Sequence, residues 1–357
     1  MAEISLSRKK LRHNYEVLQN LLKKNNIQWG IVSKLLCGNK IFLQELIDMG
    51  AKELHDSRIS NLKAIKQLDP SVQTVYIKPP PRRSIRSLVK YADVSFNTDL
   101  HTLELISKEA VRQNKKHMAI IMVEMGDLRE GVMGEQLVDF YEKVFRLPNL
   151  EIIGLGTNLN CLYGVMPSHD KLVQLSLYSQ IIELRFNRKM KWISGGSSVT
   201  IPLVFKSQIP VGVNHLRVGE TLFFGANLFT GKTIKGMKDD VITLQAEIIE
   251  LQEKPMVPEG VMQENPSGDT YEIKNEDYGK TSFRALLDVG LLDITPDFLI
   301  PMDKNLKMAG ASSDILVMDL GTNPKKYNVG DFIQFKLKYM GALGLFNSDY
   351  VVKKVTD

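Results

Sequence analysis

The apolar run Ile27-Gln28-Trp29-Gly30-Ile31-Val32-Ser33 leads into a lysine, Lys34. An ammonium group so close to an apolar strand must reach solvent, find a partner or lose its proton, because burying it charged and alone is costly. A lysine with a lowered pKa is a nucleophile that forms a Schiff base with a carbonyl group. Two arginines, Arg129 and Arg217, and the small-residue run Ser194-Gly195-Gly196-Ser197-Ser198 offer the donors an anion needs, and Gly219 follows just after Arg217. Backbone N–H groups and hydroxyls in such turns bind phosphate. Singly, each feature has a plainer reading: the lysine snorkels to water, the arginines pair at the surface, and Gly195-Gly196 makes a tight turn. Their weight comes from convergence, which depends on the elements that carry them.

Strand-like and helix-like patterns alternate through the first two thirds of the chain. The expected strands cover 29–34, 53–56, 74–78, 94–97, 118–124, 152–157, 191–194 and 215–218. Helical periodicity occupies 41–49, 59–68, 100–113, 136–147 and 172–186, after an amphipathic helix over 8–23. Strands alternating with helices need right-handed crossovers and make a parallel sheet covered by helices. Eight such units in about 225 residues fit a (β/α)8 TIM-type barrel, with an open doubly wound sheet as the competitor. In a barrel the C-terminal strand ends form one mouth. Here those ends carry Lys34, His55-Asp56, Lys78, Asn97, Glu124 with Arg129, Asn158, the 194–198 run and Arg217-Val218-Gly219, a polar and largely cationic rim. After Gly225 the pattern changes to strands at 241–250, 282–289, 314–319, 331–338 and 350–355, with no amphipathic helix between them. Pro255, Pro258, Gly260, Pro266, Ser267 and Gly268 punctuate a long loop there. The expected organisation is α/β, a barrel domain over 1–230 followed by a C-terminal, mostly-β domain over 231–357.

With 43% hydrophobic and 24% charged residues in 357, the chain can bury a large core. The net charge of +5 is spread along it, and the pairs Arg82-Arg83 and Lys115-Lys116 read as solvated faces, so no nucleic-acid partner is expected. No apolar run approaches the roughly 20 residues of a membrane span, and the N-terminal stretch lacks the apolar core of a secretory signal. Two cysteines, Cys37 and Cys161, cannot build a disulfide framework, so a cytoplasmic protein is expected. The six histidines show no metal-ligand spacing, so no metal is expected, and His55 and His215 read as satisfied structural residues. Gly225 to Thr233 has five residues between its glycines and no helix signal after it, so it is not a phosphate loop.

In this order and spacing the chain resembles the alanine racemase family, pyridoxal-phosphate enzymes with a barrel and a β domain, and within it the ornithine racemase branch. The resemblance covers essentially the whole length. It rests on Ser33-Lys34-Leu35-Leu36-Cys37-Gly38, Asp56-Ser57-Arg58, Gly126-Asp127-Leu128-Arg129-Glu130-Gly131, Gly156-Thr157-Asn158-Leu159-Asn160-Cys161, Leu216-Arg217-Val218-Gly219-Glu220, Gly310-Ala311-Ser312-Ser313-Asp314 and Tyr350. It implies that Lys34 is the Schiff-base lysine and one acid/base, and that Arg129 hydrogen-bonds the pyridoxal phenolic oxygen. It places Asn158 where the family carries a histidine against the ring, and Arg217 at the arginine facing the pyridine nitrogen. Ser197, Gly219, Glu220 and Tyr350 match phosphate contacts. A guanidinium has no acceptor and a pKa above ~12, so Arg217 cannot protonate the ring, which then withdraws electrons less strongly.

The resemblance also implies a homodimer in which each β domain completes the partner's active site, and a small-molecule amino-acid substrate, ornithine or another basic one. Alanine racemase activity and a non-catalytic pyridoxal-phosphate carrier are the alternatives, and carriers lack the β domain. A buried substrate ammonium needs a carboxylate, for which Asp56, Glu124 and Asp127 are candidates. Where the family places a catalytic tyrosine, this chain has Gly290-Leu291-Leu292-Asp293, and leucine cannot exchange a proton. The second acid/base is then expected to be Cys161, whose thiol a cationic site would favour as thiolate, or a group of the Ser312, Ser313 and Asp314 set.

Overall fold

The computed structural model of the protein describes residues 2–264 and 270–357. It divides into two compact units, Leu11–Lys238 and a second made of Met1–Lys10 with Asp239–Asp357. The sequence pattern drew the line after residue 230 and gave the N-terminus to the barrel. The difference has a simple cause. Strand β1 (Glu3–Ser7) pairs antiparallel with β12 (Ile242–Pro255) and parallel with β18 (Val352–Thr356), burying Ile4 and Leu6 completely.

The larger unit is a closed eight-stranded parallel barrel. Its strands are β2 (Gln28–Val32), β3 (Glu53–Asp56), β4 (Gln73–Tyr76), β5 (Val94–Asn97), β6 (His117–Met122), β7 (Leu150–Gly156), β8 (Trp192–Ser197) and β9 (His215–Val218), and β9 closes on β2. All eight expected strands are present, with ends shifted by a few residues. β5 and β9 are buried at every position, as strands of a parallel sheet between helices and a packed interior must be. Helices cross over between them with legible start signals. Asp99 accepts from the Thr102 N–H ahead of Leu100–Arg112, and Ser168 accepts from the Lys171 N–H ahead of His169–Phe186. The interior packs Val75, Val94, Phe96, Ile120, Met122, Ile153 and Trp192 into one cluster. Truncating Phe96 or Trp192 there would cost about 3–5 kcal/mol. The barrel chain leaves through a small hairpin, β10 (Ala226–Asn227) with β11 (Lys232–Thr233), which occupies the segment that mimics a phosphate loop.

The second unit is a mostly antiparallel sheet organised on β12, whose buried and half-buried positions alternate along its first half. β13 (Thr281–Leu287) and β17 (Phe332–Leu337) flank it, with β14 (Leu299–Pro301), β15 (Lys307–Ala311) and β16 (Leu316–Asp319) further out. The sequence pattern anticipated β12, β13, β16, β17 and β18 of this unit and missed β1, β14 and β15. It expected no amphipathic helix here, and the one α-helix described in this part of the chain, Tyr339–Asn347, is not amphipathic; it buries Gly341, Ala342, Leu345 and Phe346. That segment is apolar on nearly all sides, so it carries no amphipathic signature. Of the proline- and glycine-punctuated loop, Pro266, Ser267 and Gly268 lie outside the described residues.

Candidate active site

The barrel mouth encloses a cavity of about 460 Å3, within the range of small-ligand sites. Its charged lining is Lys34, Lys78, Arg129 and Arg217 against a single carboxylate, Glu130. Asn158, Cys161 and Ser197 line it as well. Six residues singled out from the sequence, Lys34, Arg129, Asn158, Cys161, Ser197 and Arg217, thus share one cavity although up to 183 positions separate them (217 − 34).

Each is delivered by a strand end. β2 stops at Val32, and Lys34 opens a single 3-10 turn, Lys34–Leu36, that buries Leu35 and Leu36 while Lys34 stays exposed. The buried Ser33 hydroxyl anchors that turn by donating to Asp56 Oδ2 at 3.1 Å. β8 continues through Gly195 and Gly196 to Ser197, so the small-residue run is strand rather than the expected loop. Gly196 has φ +121°, and a Cβ there would lie 2.5 Å from Thr200 Oγ1, so the position needs glycine. Ser197 faces the cavity, whereas Ser198 Oγ accepts from the Gly219 and Thr221 amides, both at 3.1 Å. The Gly219 amide is therefore already engaged. Glu220 begins the following short helix, and burial raises its carboxyl against the pull of Lys34.

Arg217 is buried and donates to Ser194 Oγ at 2.5 Å, to the Thr157 carbonyl at 2.7 Å and to Asn158 Oδ1 at 3.1 Å. Burial pushes its pKa down to about 10, with Glu130 opposing. Its guanidinium also lies over the Phe96 ring, 5.0 Å from the centroid. Asn158 bridges the two sides of the mouth, accepting from Arg217 and donating to Glu130 Oε1 at 2.9 Å. Glu130 in turn holds Arg129 through both carboxylate oxygens, which raises the guanidinium pKa further. Asp127 fixes this loop to the next one by accepting four backbone amides, from Cys161, Leu162, Tyr163 and Val165.

Two expectations change here. The carboxylates proposed for a substrate ammonium are engaged elsewhere. Asp56 is fully buried on Arg58 N, Asn61 and Ser33, Asp127 holds the amides just named, and Glu124 accepts from the Gly126 and Leu128 amides. Glu130, which the sequence reading did not weigh, is the carboxylate on the cavity. Its sequence signal was its place in the Gly126–Gly131 motif, next to Arg129. The Cys161 thiol is not favoured as thiolate: desolvation pushes its pKa up and outweighs the lowering by Arg129.

Ser313, Asp314 and Tyr350 belong to the β unit, where Asp314 and Tyr350 line a cavity of about 420 Å3 together with Leu292. The Leu291 and Leu292 amides donate to the Ser312 and Ser313 carbonyls at 2.9 Å, and Ser313 Oγ donates to Asp314 at 2.7 Å. A Cβ on Gly290 would lie 2.4 Å from the Ser313 carbonyl oxygen, so the Gly290–Asp293 turn and the Ser312–Asp314 segment are packed as one piece.

Residues 6–227 match the profile of the alanine racemase N-terminal domain. Over 354 residues the chain is 36% identical to an ornithine racemase of Acetoanaerobium sticklandii, covering 99% of each. A lysine racemase of Thermotoga maritima is 28% identical over 346 residues, covering 97% of this chain and 96% of that one. The alanine racemase of Bartonella henselae, solved with covalently bound pyridoxal phosphate, has the same fold, with a TM-score of 0.75 at 15% identity and 99% of both chains covered. A barrel whose first strand delivers Lys34 to a cationic mouth, a β unit behind it in sequence, and a match of this extent together establish that the chain belongs to the alanine racemase family.

Proposed function

We propose that this protein is a pyridoxal-phosphate-dependent racemase of a basic amino acid, with ornithine the first choice of substrate. The observation that carries the reading is the composition of the mouth, where three further cationic side chains and one carboxylate surround Lys34 in a cavity of about 460 Å3. That donor set fits a ligand with a phosphate dianion and a substrate carboxylate, and Ser197 adds a hydroxyl to the same cavity from the end of β8. When bound, pyridoxal phosphate withdraws electrons from the substrate's α-carbon and so acidifies its C–H.

The chain's own groups supply the rest. Lys34 would hold the cofactor and move the α-proton on one face. Arg129, kept in place by Glu130, would bind the phenolic oxygen, and Arg217 would bind the pyridine nitrogen without giving up a proton. Ser197 and the start of the Glu220–Phe224 helix would hold the phosphate. Gly219 shapes that turn while its amide serves Ser198. The second acid/base is Cys161 or a member of the Ser313–Asp314 pair. The raised Cys161 thiol and the Ser313–Asp314 hydrogen bond favour the pair.

A basic substrate suits Glu130. A carboxylate offers about four lone-pair positions, and Glu130 uses three on Arg129 and Asn158. One remains for a side-chain ammonium. A homodimer in which each β unit completes its partner's site, and a cytoplasmic location, belong to the same proposal. No helix among the described residues is long and apolar enough to cross a membrane. The test is loss of optical rotation with L-ornithine, L-lysine and L-alanine in turn, with and without added pyridoxal phosphate. Cofactor-dependent racemisation fastest with ornithine or lysine is expected. A preference for alanine would make this an alanine racemase, and binding of the cofactor without racemisation of any amino acid would make it a carrier.

A further inference from the structure

Behind Arg217, inside the barrel, lies a row of polar groups that the proposed reaction does not use. Arg217 Nη1 donates to Ser194 Oγ at 2.5 Å, Ser194 Oγ lies 2.8 Å from His215 Nδ1, and His215 Nε2 lies 2.8 Å from Glu53 Oε1. The same Glu53 oxygen is 2.5 Å from His55 Nε2. Both histidines, Ser194 and Arg217 are buried.

Proton accounting fixes the sense of each bond. A guanidinium only donates, so Ser194 Oγ accepts from Arg217. The Ser194 hydroxyl proton then goes to His215 Nδ1, which is the unprotonated nitrogen. His215 Nε2–H is left to donate to Glu53. An imidazolium at His215 would instead place two cationic donors on Ser194 Oγ and leave the hydroxyl proton without an acceptor. His55 donates through Nε2 as well, since its Nδ1 is buried without a partner. Every proton in the row therefore points from a cation, Arg217, toward an anion, Glu53.

We propose that Glu53 and His215 are positioning residues for Arg217, acting through Ser194 in a one-directional hydrogen-bond relay. A serine hydroxyl rotates freely and can either donate or accept. The relay commits its proton to His215, so its lone pair always faces Arg217 and one guanidinium orientation is selected. Two packing features independently hold the row in place. His215 stacks on Trp192 with ring centroids 4.2 Å apart and planes within 10°. Gly30, the neighbour of Arg217 across the β2–β9 ladder, leaves the space that His55 and Glu53 occupy. A Cβ on Gly30 would lie 2.1 Å from His55 Nε2 and 2.4 Å from Glu53 Oε1. Glu53, His55 and His215 also present three atoms within 4.8 Å that could bind a metal ion, but these atoms are already hydrogen-bonded to one another.

What Arg217 is held for rests on the proposed function, whereas the relay itself does not, and the two can be tested apart. In the purified chain, with and without pyridoxal phosphate, long-range 15N–1H spectra should show His215 as the neutral Nε2–H tautomer at neutral pH. Glu53→Gln and Ser194→Ala should each disturb that tautomer or speed exchange of the Arg217 guanidinium protons about tenfold, the loss of one charge-assisted hydrogen bond. Ile153→Val, which loosens the same core cluster without removing a relay atom or the Trp192 stack, should leave Arg217 exchange within twofold. In the loaded enzyme Glu53→Gln should lower kcat with little change in KM, and Glu53→Asp should restore part of it. If Glu53→Gln does not fold, Ser194→Ala carries the test. A doubly protonated His215 in the wild type, or Arg217 exchange unchanged in Ser194→Ala, overturns the relay. So does stoichiometric Zn2+ uptake by the wild type that Glu53→Gln abolishes, since the three side chains would then be a metal site. Intact spectra with a failure to racemise any amino acid would leave the relay standing and remove the proposed function instead.

Discussion

Replacing Glu130 by glutamine separates two roles that the structure gives to one carboxylate. Glu130 accepts from Arg129 through both oxygens and from Asn158 at 2.9 Å, which leaves one of about four lone-pair positions. An ammonium placed there makes a charge-assisted bond with a net value of about 1.5–3 kcal/mol. The bare Coulomb attraction at 4 Å would be about 4 kcal/mol at an effective dielectric of 20, and Arg129 competes for the same charge, so the lower range applies. At about 1.4 kcal/mol per factor of ten, Glu130→Gln should lower kcat/KM for ornithine about 10- to 150-fold beyond any loss with alanine. Alanine has no side-chain ammonium and should lose only what the loosened Arg129 costs. The four cationic residues of the mouth remain, so binding of the phosphate and of the substrate carboxylate should persist. The assay is the initial rate of loss of optical rotation for both L-amino acids with wild type and variant. An unchanged ornithine-to-alanine ratio would show that Glu130 is a counterion for Arg129 only, and the argument from its open lone pair would fail.

Lys34→Ala should abolish both the visible absorbance of lysine-bound cofactor and racemisation, with a loss of at least ~10²-fold even where cofactor binding is rescued, because a proton carrier is removed; retention of chromophore and turnover together would unseat Lys34. For the second acid/base, α-deuterium exchange in heavy water with each pure enantiomer should continue from one enantiomer and stop from the other in the decisive variant among Cys161→Ala, Ser312→Ala, Ser313→Ala and Asp314→Asn. Exchange of both enantiomers at wild-type rates in all four would exclude both sets. Burial pushes His117 down to about 4 from its ordinary 6.5. The unfolded chain therefore takes up a proton between those values that the folded chain refuses, and the stabilisation present above pH 6.5 is lost as pH falls toward 4. That loss is about 3 kcal/mol at 1.36 kcal/mol per unit. Urea unfolding of His117→Phe should show a correspondingly smaller drop in stability between pH 7 and pH 4, and identical slopes would mean that His117 is charged in the folded protein.

Much of this protein can be read from local pattern. Short apolar runs mark most of the barrel strands, most plainly in β6 and β7, because strands buried on both faces favour apolar side chains. Their C-terminal ends nominated Lys34, Asn158, Ser197 and Arg217 as one rim, because closure of a parallel barrel brings alternate chain segments to a single mouth. The helix Tyr339–Asn347 escaped because it is apolar all round, and β1 escaped because its alternation, Glu3-Ile4-Ser5-Leu6-Ser7, spans only five residues ahead of a basic helix.

The rest depends on distance in space between residues far apart in sequence. Glu130 could be seen beside Arg129, but only the fold turns it to the cavity while Asp56, Glu124 and Asp127 bond elsewhere. Glu53 and His215 are 162 residues apart, and no spacing rule joins them. Cys161 shows the same limit in its chemistry, since the lowering by Arg129 was foreseeable and the larger effect of desolvation was not. Sequence fixes which groups are available and roughly which strand end presents each one. Whether a group is charged, and what it bonds to, follows from burial and from the partners that tertiary packing brings within about 3 Å, where hydrogen bonds form.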